Sequence, residues 1–396
     1  MKSWKMVLRR SKYILNVRLI GKVAVALASV MCYCEFLHYY IVLFQCHWPE
    51  LDPKLTVQDI KNDAGPLRVM VLADTHLLGT RNGHWFDKLR REWQMHRAFQ
   101  SSITLHDPDL VIFLGDLFDE GKWCKPSEFA EYVQRFHDLF RTPEKTDVLV
   151  AVGNHDVGFH YSLNPYLVNR FQAAFATGPV ALKQIKGVTF VIINSMALEG
   201  DDCFLCKPAT DKIKIIGRQL RCVAGDIAAC QYWKSSQLQQ YSQPVILQHY
   251  PLYRESDSIC SEVDEAPEDI KHLLFRERWE CISKDATETL FEELSPRLVL
   301  SGHTHHGCHV KHNTSKGSVV DEYTVPSFSW RNKKNPTFSM LTLTSNNFSI
   351  YKCQMPKENT VIVIYTFSAI LLVLWIAAKI VKTRGVLYTK VEGHID

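Results

Sequence analysis

The sequence predicts an α/β fold in which two β-sheets pack as a sandwich flanked by helices (αββα), with a membrane helix near each end of the chain. Five short apolar runs are rich in β-branched and aliphatic residues and too short for helices, which is typical of buried strands. Stretches with helical patterning lie between these runs, and such alternation is typical of α/β folds. Two much longer apolar runs provide the candidate membrane helices.

The predicted elements follow one another closely along the chain. The five strands cover residues 67–73, 110–115, 148–153, 245–248 and 298–302. Helices are predicted at 85–105, 126–141 and 284–294, and further strands at 188–194 and near 318–326 and 338–351. We expect the late β-rich section to form the second sheet. The polar, cysteine-bearing stretches at 200–243 and 254–283 are interpreted as insertions on the active-site side.

The two long apolar runs differ in how clearly they indicate a membrane span. About 20 apolar residues suffice to cross a bilayer. Residues 361–381 contain one charge, Lys379, and predict a transmembrane helix. Residues 23–44 include Glu35 and His38, and a charge near the centre of a span is costly. A signal anchor, a cleaved signal peptide and an interfacial helix remain alternatives there, but the run is long for a signal peptide and favours a retained helix.

Charge at the two ends predicts the topology. Residues 1–22 contain seven basic residues and no acidic one, and basic residues also follow the second run, so both tails are expected in the cytosol. The central part would then be lumenal, in agreement with sequons at Asn313 and Asn347. The predicted organisation is a cytosolic tail (1–22), a transmembrane helix (23–44), a linker (45–66), a lumenal domain (67–351), a linker (352–360), a transmembrane helix (361–381) and a cytosolic tail (382–396).

Composition excludes some classes of protein and favours an oxidising compartment. The net charge of +4 over 396 residues does not suggest a nucleic-acid-binding protein. Ten of the 12 cysteines lie between Cys46 and Cys353, which favours disulfides that cross-link the insertions. The pair Cys203 and Cys206 could alternatively form a redox or zinc site, although it has no βαβ setting and no matching second pair.

Five motifs place metal-ligand side chains directly after the five predicted strands. Ligands in α/β folds gather at the carboxyl ends of strands, so these side chains are expected to converge. Carboxylate, amide and imidazole groups suit divalent ions such as Mn, Fe or Zn, and two such ions can hydrolyse phosphate esters. Each motif alone is weak evidence, but their joint occurrence is not. In chain order they are Asp-Thr-His at 74–76, Gly-Asp-Leu-Phe-Asp at 115–119, Gly-Asn-His-Asp at 153–156, His249, and Gly-His-Thr-His at 302–305.

This series of motifs resembles the calcineurin-like metallophosphoesterase superfamily over residues 67–310. The resemblance implies two divalent metal ions, with manganese expected. Asp74, His76 and His305 would bind the first ion, and Asn154, His249 and His303 the second. Asp116 would bridge the two ions with its carboxylate.

The resemblance also implies a proton donor. The nucleophile would be a hydroxide between the two ions, and His155 would protonate the leaving alkoxide. Asp119 would orient and charge His155, with Asp156 as the alternative partner. His306 is expected to contact the ligands, whereas His84 and His160 are better explained as surface-loop residues than as pocket residues.

The flanking sequence, including Gly-Asp-Leu-Phe-Asp-Glu-Gly-Lys at 115–122, resembles a membrane branch of the superfamily. That branch acts on glycosylphosphatidylinositol (GPI) anchors, so GPI-anchored proteins are the expected substrates. The implied reaction removes an ethanolamine-phosphate branch from the anchor glycan, at the second mannose. It would take place in the early secretory pathway (endoplasmic reticulum to cis-Golgi). Cargo receptors of that pathway are possible partners. Two alternatives remain open: a lumenal phosphodiesterase or phosphatase for soluble nucleotides or phosphoproteins, and a non-catalytic receptor for GPI-anchored cargo.

Overall fold

A computed structural model describes residues 2–53, 65–231 and 238–392, with side chains between residues 17 and 382. Parts of the predicted linker 45–66, of the insertion 200–243 and of both tails therefore lie outside the described residues. The chain divides into two compact units. One comprises Met1–Val42 with Pro356–Asp396, and the other is Leu43–Met355.

The elements agree closely with the sequence pattern. The helices are α1 (Lys2–Cys32), α2 (His38–Leu43), α3 (Trp85–His106), α4 (Pro126–Leu139), α5 (Asn154–Val157), α6 (Pro165–Phe175), α7 (Cys206–Val223), α8 (Ile227–Cys230), α9 (Glu268–Lys271), α10 (Lys284–Leu294) and α11 (Glu358–Glu392). The strands are β1 (Leu67–Leu72), β2 (Leu110–Phe113), β3 (Asp147–Val150), β4 (Val180–Ile185), β5 (Val188–Ile193), β6 (Val245–Leu247), β7 (Leu298–Ser301), β8 (Cys308–Asn313), β9 (Val319–Thr324), β10 (Thr337–Leu343) and β11 (Phe348–Gln354).

The smaller unit contains two helical segments long and apolar enough to cross a membrane. They are Val17–Leu43, with a mean hydropathy of 1.7, and Glu358–Lys382, with a mean hydropathy of 2.6. The first is interrupted by a π-helical turn at Tyr33–Leu37, which includes Glu35. The hydroxyl of Tyr365 donates a hydrogen bond of 2.6 Å to Glu35 Oε1. The charge within the first apolar run therefore has a polar partner on the second, which reduces the cost of placing it in an apolar helix.

The larger unit contains two sheets. The first has the strand order β11-β10-β1-β2-β3, and the second β4-β5-β6-β7-β9-β8. Strands β1, β2 and β3 are parallel to one another, as are β5, β6, β7 and β9. The expectation that the late section forms the second sheet is wrong in part. The hairpin of β10 and β11 completes the first sheet, because β10 is buried along its whole length and pairs antiparallel with β1.

The main core lies between the facing surfaces of these sheets. Val69, Val71 and Ile112 from the first sheet join Phe190 and Leu300 from the second in one buried cluster. Burial on this face explains why the strands are recognisable in the sequence as short apolar runs. The predicted αββα sandwich is confirmed, and the core fixes the relative position of the two parallel strand groups that end at the site.

Aromatic residues attach the helical layer to the first sheet. The rings of Phe99 on α3, Phe113 on β2, and Phe136 and Phe140 at the end of α4 lie 4.9–6.2 Å apart. Helix α4 begins with Pro126, whose missing N–H is not needed in the first helical turn. This layer covers the outer face of the strands that carry Asp74 and Asp116.

The insertion at 200–243 contains a regular helix that the sequence analysis did not assign. Helix α7 buries Ile213, Ile216 and Leu220 on one face, and its other residues are mostly polar. It packs closely against α10, since a Cβ atom at Gly217 would lie 2.3 Å from the carbonyl oxygen of Glu293. Helix α6 and strands β4 and β8 were also not predicted.

Disulfides connect the described cysteines of the larger unit, as expected. The pairs are Cys46–Cys353, Cys203–Cys206, Cys222–Cys230 and Cys260–Cys308. Cys222–Cys230 closes the first insertion, and Cys260–Cys308 joins the second insertion to β8. Cys203 and Cys206 form a disulfide rather than a pair of thiolates, and Cys124 and Cys281 are buried free thiols.

Candidate metal centre

The metal-ligand side chains converge where the carboxyl ends of both parallel strand groups meet. Asp74 and His76 follow β1, Asp116 follows β2, and Asn154 follows β3. On the second sheet His249 follows β6, whereas His303 and His305 follow β7. The structure therefore brings together all seven residues that the sequence predicts as metal ligands.

The first group of ligand atoms surrounds His76 Nε2. This nitrogen lies 3.1 Å from His305 Nε2, 3.5 Å from Asp116 Oδ2 and 3.9 Å from Asp74 Oδ1. Asp74 Oδ1 is also 3.7 Å from His305 Nε2. Asp74, His76 and His305 form one compact set, and Asp116 adjoins it through His76, which together gives the two nitrogen and two carboxylate donors expected for the first ion.

The second group surrounds His249 Nε2. It lies 3.1 Å from Asn154 Oδ1, 3.2 Å from His303 Nδ1 and 3.3 Å from Asp116 Oδ2. Asp116 Oδ2 thus belongs to both groups, as a bridging carboxylate requires. The other oxygen, Asp116 Oδ1, accepts a hydrogen bond of 2.7 Å from the backbone N–H of His155, which fixes the orientation of the carboxylate.

Hydrogen bonds behind the imidazoles determine which nitrogens face the centre. His249 donates from Nδ1 to the carbonyl of Leu114 (2.8 Å), and His303 donates from Nε2 to the carbonyl of Trp279 (2.7 Å). His76 donates from Nδ1 to Asp119 (3.2 Å). In the neutral form of each ring the nitrogen that faces the centre therefore carries a lone pair and no hydrogen.

These tautomers test whether a metal fits. When both rings are neutral, His249 Nε2 and His303 Nδ1 present lone pairs to each other and to the carbonyl oxygen of Asn154. Such an arrangement is repulsive unless a cation lies among the donors. The nitrogen, amide and carboxylate donors also suit a borderline divalent ion. The residues therefore fit two divalent metal ions.

The backbone of the ligand loops is strained. Five of the seven ligands have a positive φ: Asp74 (52°), His76 (43°), Asp116 (49°), His303 (75°) and His305 (62°). Non-glycine residues rarely adopt this conformation, and such strain concentrates at functional sites. Glycines allow the close approach, since a Cβ atom at Gly153 would lie 2.1 Å from Asp116 Oδ1.

Electrostatics favour a cation at this position. Burial opposes ionisation of Asp116, but the imidazoles of His249 and His155 hold the pKa of its carboxyl well below its usual value. Burial also opposes the charged form of His249, yet Asp116 raises its pKa to about 9. Burial raises the pKa of Asp74 to about 6. The carboxylates thus create a negative potential at the point where the lone pairs meet.

A family model described as calcineurin-like phosphoesterase matches residues 67–307, which include all seven ligands. The chain belongs to the calcineurin-like phosphoesterase family. Proteins named metallophosphoesterase 1 are similar over most of both chains. The protein from Gallus gallus is 44% identical over 90% of this chain and 89% of its own length, and the one from Ailuropoda melanoleuca is 46% identical with the same coverage. The protein from Danio rerio is 43% identical over 90% of this chain and 91% of its own length.

Two solved structures of phosphatases are also similar in part. A dimetal phosphatase from Danio rerio is 13% identical, with a TM-score of 0.42, and the match covers 74% of this chain and 99% of that one. A purple acid phosphatase from yellow lupin seeds is 14% identical, with a TM-score of 0.44, and the match covers 75% of this chain and 53% of that one.

As a member of the calcineurin-like family, this chain is a metal-dependent hydrolase of phosphate esters. Two divalent ions at such a site polarise the phosphoryl oxygens and lower the pKa of water. The chain supplies the positions of the ions and, beside them, an imidazole that can transfer a proton. That imidazole belongs to His155, whose ring centroid is 4.8 Å from that of His76.

Asp119 contacts both His76 and His155, but in a different way from that expected. Its carboxylate accepts from His76, and its Oδ2 lies 3.1 Å from Arg331 Nη2 and 3.3 Å from the amide of Asn82. His155 Nδ1 donates instead to the backbone carbonyl of Asp119 (2.9 Å), with the nearest carboxylate oxygen at 3.7 Å. Asp119 thus orients His76 with its side chain and His155 with its backbone.

The surroundings of Asp119 and His155 shift the pKa values of both side chains. Burial opposes ionisation of Asp119, but the hydrogen bond from His76 and the charge of Arg331 lower its pKa to about 2. Burial lowers the pKa of His155, against the opposing field of Asp116. The alternative partner, Asp156, does not contact His155 through its carboxylate, which instead accepts from the backbone N–H groups of Phe118 and Gly153.

The remaining predicted histidines lie around the centre. His306 Nδ1 is 3.2 Å from Lys333 Nζ, so this ring contacts a buried lysine. His84 accepts from the N–H of Phe86 at the start of α3, in agreement with a loop position. His160 bonds to the carbonyl of Met196 and to Asp201.

Sequence reasoning missed several residues that support the site. Arg331 and Asn82 fix Asp119, and Ser195 Oγ accepts from the backbone N–H groups of both His249 and Tyr250. Ser327 donates to the carbonyl of Asp74 at 2.7 Å. All of them except Asn82 lie far from the motifs in sequence, and nothing in their local pattern distinguishes them from ordinary loop residues.

Proposed function

We propose that this protein is a manganese-dependent phosphodiesterase that removes an ethanolamine-phosphate branch from the glycan of GPI anchors, at the second mannose. The observation that carries the proposal is a dinuclear phosphoesterase site in a unit whose two ends each lead into an apolar helix long enough to span a membrane. Such an enzyme would be held near a bilayer, where lipid-linked phosphodiesters are its neighbours. The name metallophosphoesterase 1 of relatives with 43–46% identity agrees with the phosphoesterase part of the proposal.

A location in the lumen of the early secretory pathway follows from the same reasoning. Four disulfides in the larger unit support an oxidising compartment. The basic tails support a cytosolic position for both chain ends. Removal of the branch there would prepare GPI-anchored proteins for export with the help of cargo receptors.

In the proposed reaction His155 protonates the alkoxide that leaves phosphorus. Its Nδ1–H is held by the carbonyl of Asp119, so Nε2 is available for proton transfer. The anionic phosphate of a bound substrate would favour the protonated imidazole. The His155 side chain is 29% exposed, which allows it to contact a bound substrate.

Glycan analysis tests the proposed substrate. Cells that lack the protein should accumulate GPI anchors that retain the additional ethanolamine phosphate, and the wild-type protein should restore normal anchors. The His155→Ala variant should bind metal but fail to restore them. Full rescue by this variant would favour a non-catalytic cargo receptor, whereas normal anchors in the deficient cells would favour a soluble nucleotide or phosphoprotein substrate. Elemental analysis of the purified protein tests manganese.

A further inference from the structure

A cluster of three aromatic rings lies beside the metal centre, and we call it the aromatic patch. It consists of Phe159, Tyr161 and Trp279, whose ring centroids are 5.0–5.9 Å apart. The ring of Tyr161 is inclined by 8° to that of Phe159, and the ring of Trp279 is tilted by 29° from Tyr161 and by 36° from Phe159. Tyr161 is 70% exposed and Trp279 is 38% exposed, so the patch is open to solvent.

The patch is continuous with the metal centre. The carbonyl of Trp279 accepts the hydrogen bond that fixes His303, and Phe159 follows His155 by four residues. The backbone N–H of Lys122 donates to the carbonyl of His155, which places Lys122 at the junction. A group bound on the patch would therefore be close to a phosphate at the metal ions.

A buried hydroxyl beside the patch has no protein partner. Tyr250 is 1% exposed, and its ring centroid lies 4.3 Å from that of His303. Among the residues that the structure describes, none forms a hydrogen bond with the Tyr250 hydroxyl. The charges that act on this hydroxyl come from Asp116 at the metal centre and from Glu199, Glu280 and Tyr161 around the patch. A buried polar group of this kind requires an explanation, and a ligand hydroxyl supplies one.

Lys122 adds a cation at the same place. Its Nζ lies 5.3 Å from the ring centroid of Phe159 and 4.7 Å from that of Trp123. Burial lowers the pKa of Lys122, and the carboxylates of Asp116 and Asp119 oppose this shift. No carboxylate of the described residues forms a salt bridge with it. It is therefore available to attract a phosphate oxygen.

We infer that the aromatic patch, with the hydroxyl of Tyr250 and the ammonium group of Lys122, binds the sugar ring that carries the scissile phosphate. This inference rests on the proposed function and specifies how that site recognises a glycan. A pyranose has an apolar C–H face that stacks on aromatic rings, and hydroxyl groups that bond with a buried phenol. An acyl chain could not satisfy Tyr250, because it has no group that forms hydrogen bonds.

Kinetics on matched phosphodiesters test the inference with the full-length, manganese-loaded protein in detergent. One substrate is a synthetic mannoside that carries ethanolamine phosphate. The second is glycerophosphoethanolamine, which has a similar diester but no ring. Tyr161→Ala should lower kcat/KM on the mannoside by about tenfold or more, mainly through KM, and leave glycerophosphoethanolamine almost unchanged. Tyr250→Phe should cost about three- to tenfold on the mannoside alone.

The control variant is Tyr241→Ala. Tyr241 is a similarly exposed aromatic residue at 42%, but it precedes β6, at the opposite edge of the sheet from the site. It should have no selective effect. Equal losses on both substrates in the patch variants, or no loss on the mannoside, would overturn the inference. A larger loss on a nucleoside phosphodiester than on the mannoside would also overturn it, since the patch would then bind a base.

Binding measurements separate this inference from the proposed function. In the His155→Ala background, tryptophan fluorescence should report binding of the mannoside, and the further change Tyr161→Ala should weaken that binding. If wild-type protein cleaves the mannoside but the patch variants bind it normally, the function stands and the patch is wrong. If wild-type protein cleaves only glycerophosphoethanolamine and His155→Ala does not bind the mannoside, both are wrong.

Discussion

Asp119 supports a metal ligand, His76, with its side chain and the proposed proton donor, His155, with its backbone. Its carboxylate fixes the tautomer of His76, whose Nε2 then faces the first ion, and its carbonyl fixes His155. Partners of this kind raise the affinity of an imidazole for metal. The two contacts can be separated by mutation, because a side-chain change leaves the backbone carbonyl in place.

We predict that Asp119→Ala weakens binding of one metal ion by about 10- to 100-fold, because His76 loses the acceptor that orients it. Chelator competition followed by elemental analysis measures this effect. Asn82→Ala, which removes only one donor to Asp119, should cause a smaller loss. If Asp119→Ala retains both ions at normal affinity but loses turnover, the carboxylate acts on His155, as the family resemblance first implied.

The two buried free thiols of the larger unit should be unreactive in the folded protein. Burial raises the pKa of Cys281 to about 11 and raises that of Cys124 as well, so little thiolate is present at pH 8. Because these pKa values lie above the ordinary thiol value of 9.0, the neutral thiols favour the folded state below pH 9. That contribution is lost as the pH rises toward 11.

Alkylation with iodoacetamide, followed by mass spectrometry, measures this reactivity. At pH 8 both thiols should be labelled slowly in the folded protein and rapidly in guanidinium chloride, and labelling of the folded protein should accelerate as the pH approaches 11. Rapid labelling of folded Cys281 at pH 8 would contradict the burial seen here.

At the level of elements, strands were easier to predict than helices. Strands such as β2 are buried on both faces, so they appear as unbroken apolar runs, and the polar residue after each run is conspicuous. Helix α7 lies on the surface and buries only one face, and cysteines and lysines obscure its pattern. The strained backbone at Asp74 and His303 has no signal in the sequence, because it depends on contacts between the two sheets.

The order of strands also depends on long-range contacts. Pairing of β10 with β1 joins segments about 270 residues apart, and the apolar pattern of β10 is compatible with either sheet. The ligand set was predictable because every ligand directly follows one of five buried strands. Arg331 and Tyr250 were not, since their functions follow only from what they contact.

Two disulfides offer a test of how the larger unit is stabilised. Cys46–Cys353 spans 307 residues, and Cys222–Cys230 spans 8. Loop-closure entropy predicts about 2.5 kcal/mol for the short loop and about twice that for the long one. Thermal unfolding of the full-length protein in detergent should therefore show a larger fall in the midpoint for Cys46→Ser with Cys353→Ser than for Cys222→Ser with Cys230→Ser. An equal or reversed order would show that the long link does not constrain the unfolded chain.

For the whole molecule, the orientation across the membrane determines whether the metal centre meets a lumenal substrate. The two sequons report on this orientation, and they differ in structure. Asn313 is exposed at the end of β8. Asn347 is only 4% exposed, and its amide donates a hydrogen bond of 3.0 Å to the carbonyl of Asp52. A glycan requires an exposed amide, so only Asn313 is a suitable acceptor in the folded domain.

We therefore predict that endoglycosidase treatment increases the electrophoretic mobility of the wild-type protein and of Asn347→Gln, but not of Asn313→Gln. The reason is that glycosylation takes place only in the lumen, and the proposed topology places Asn313 there. Protease protection in sealed microsomes provides an independent measurement, in which the fragment that includes residues 67–351 should survive until detergent is added. Digestion of this fragment in intact microsomes would place the metal centre in the cytosol, where a GPI glycan exposed to the lumen could not reach it.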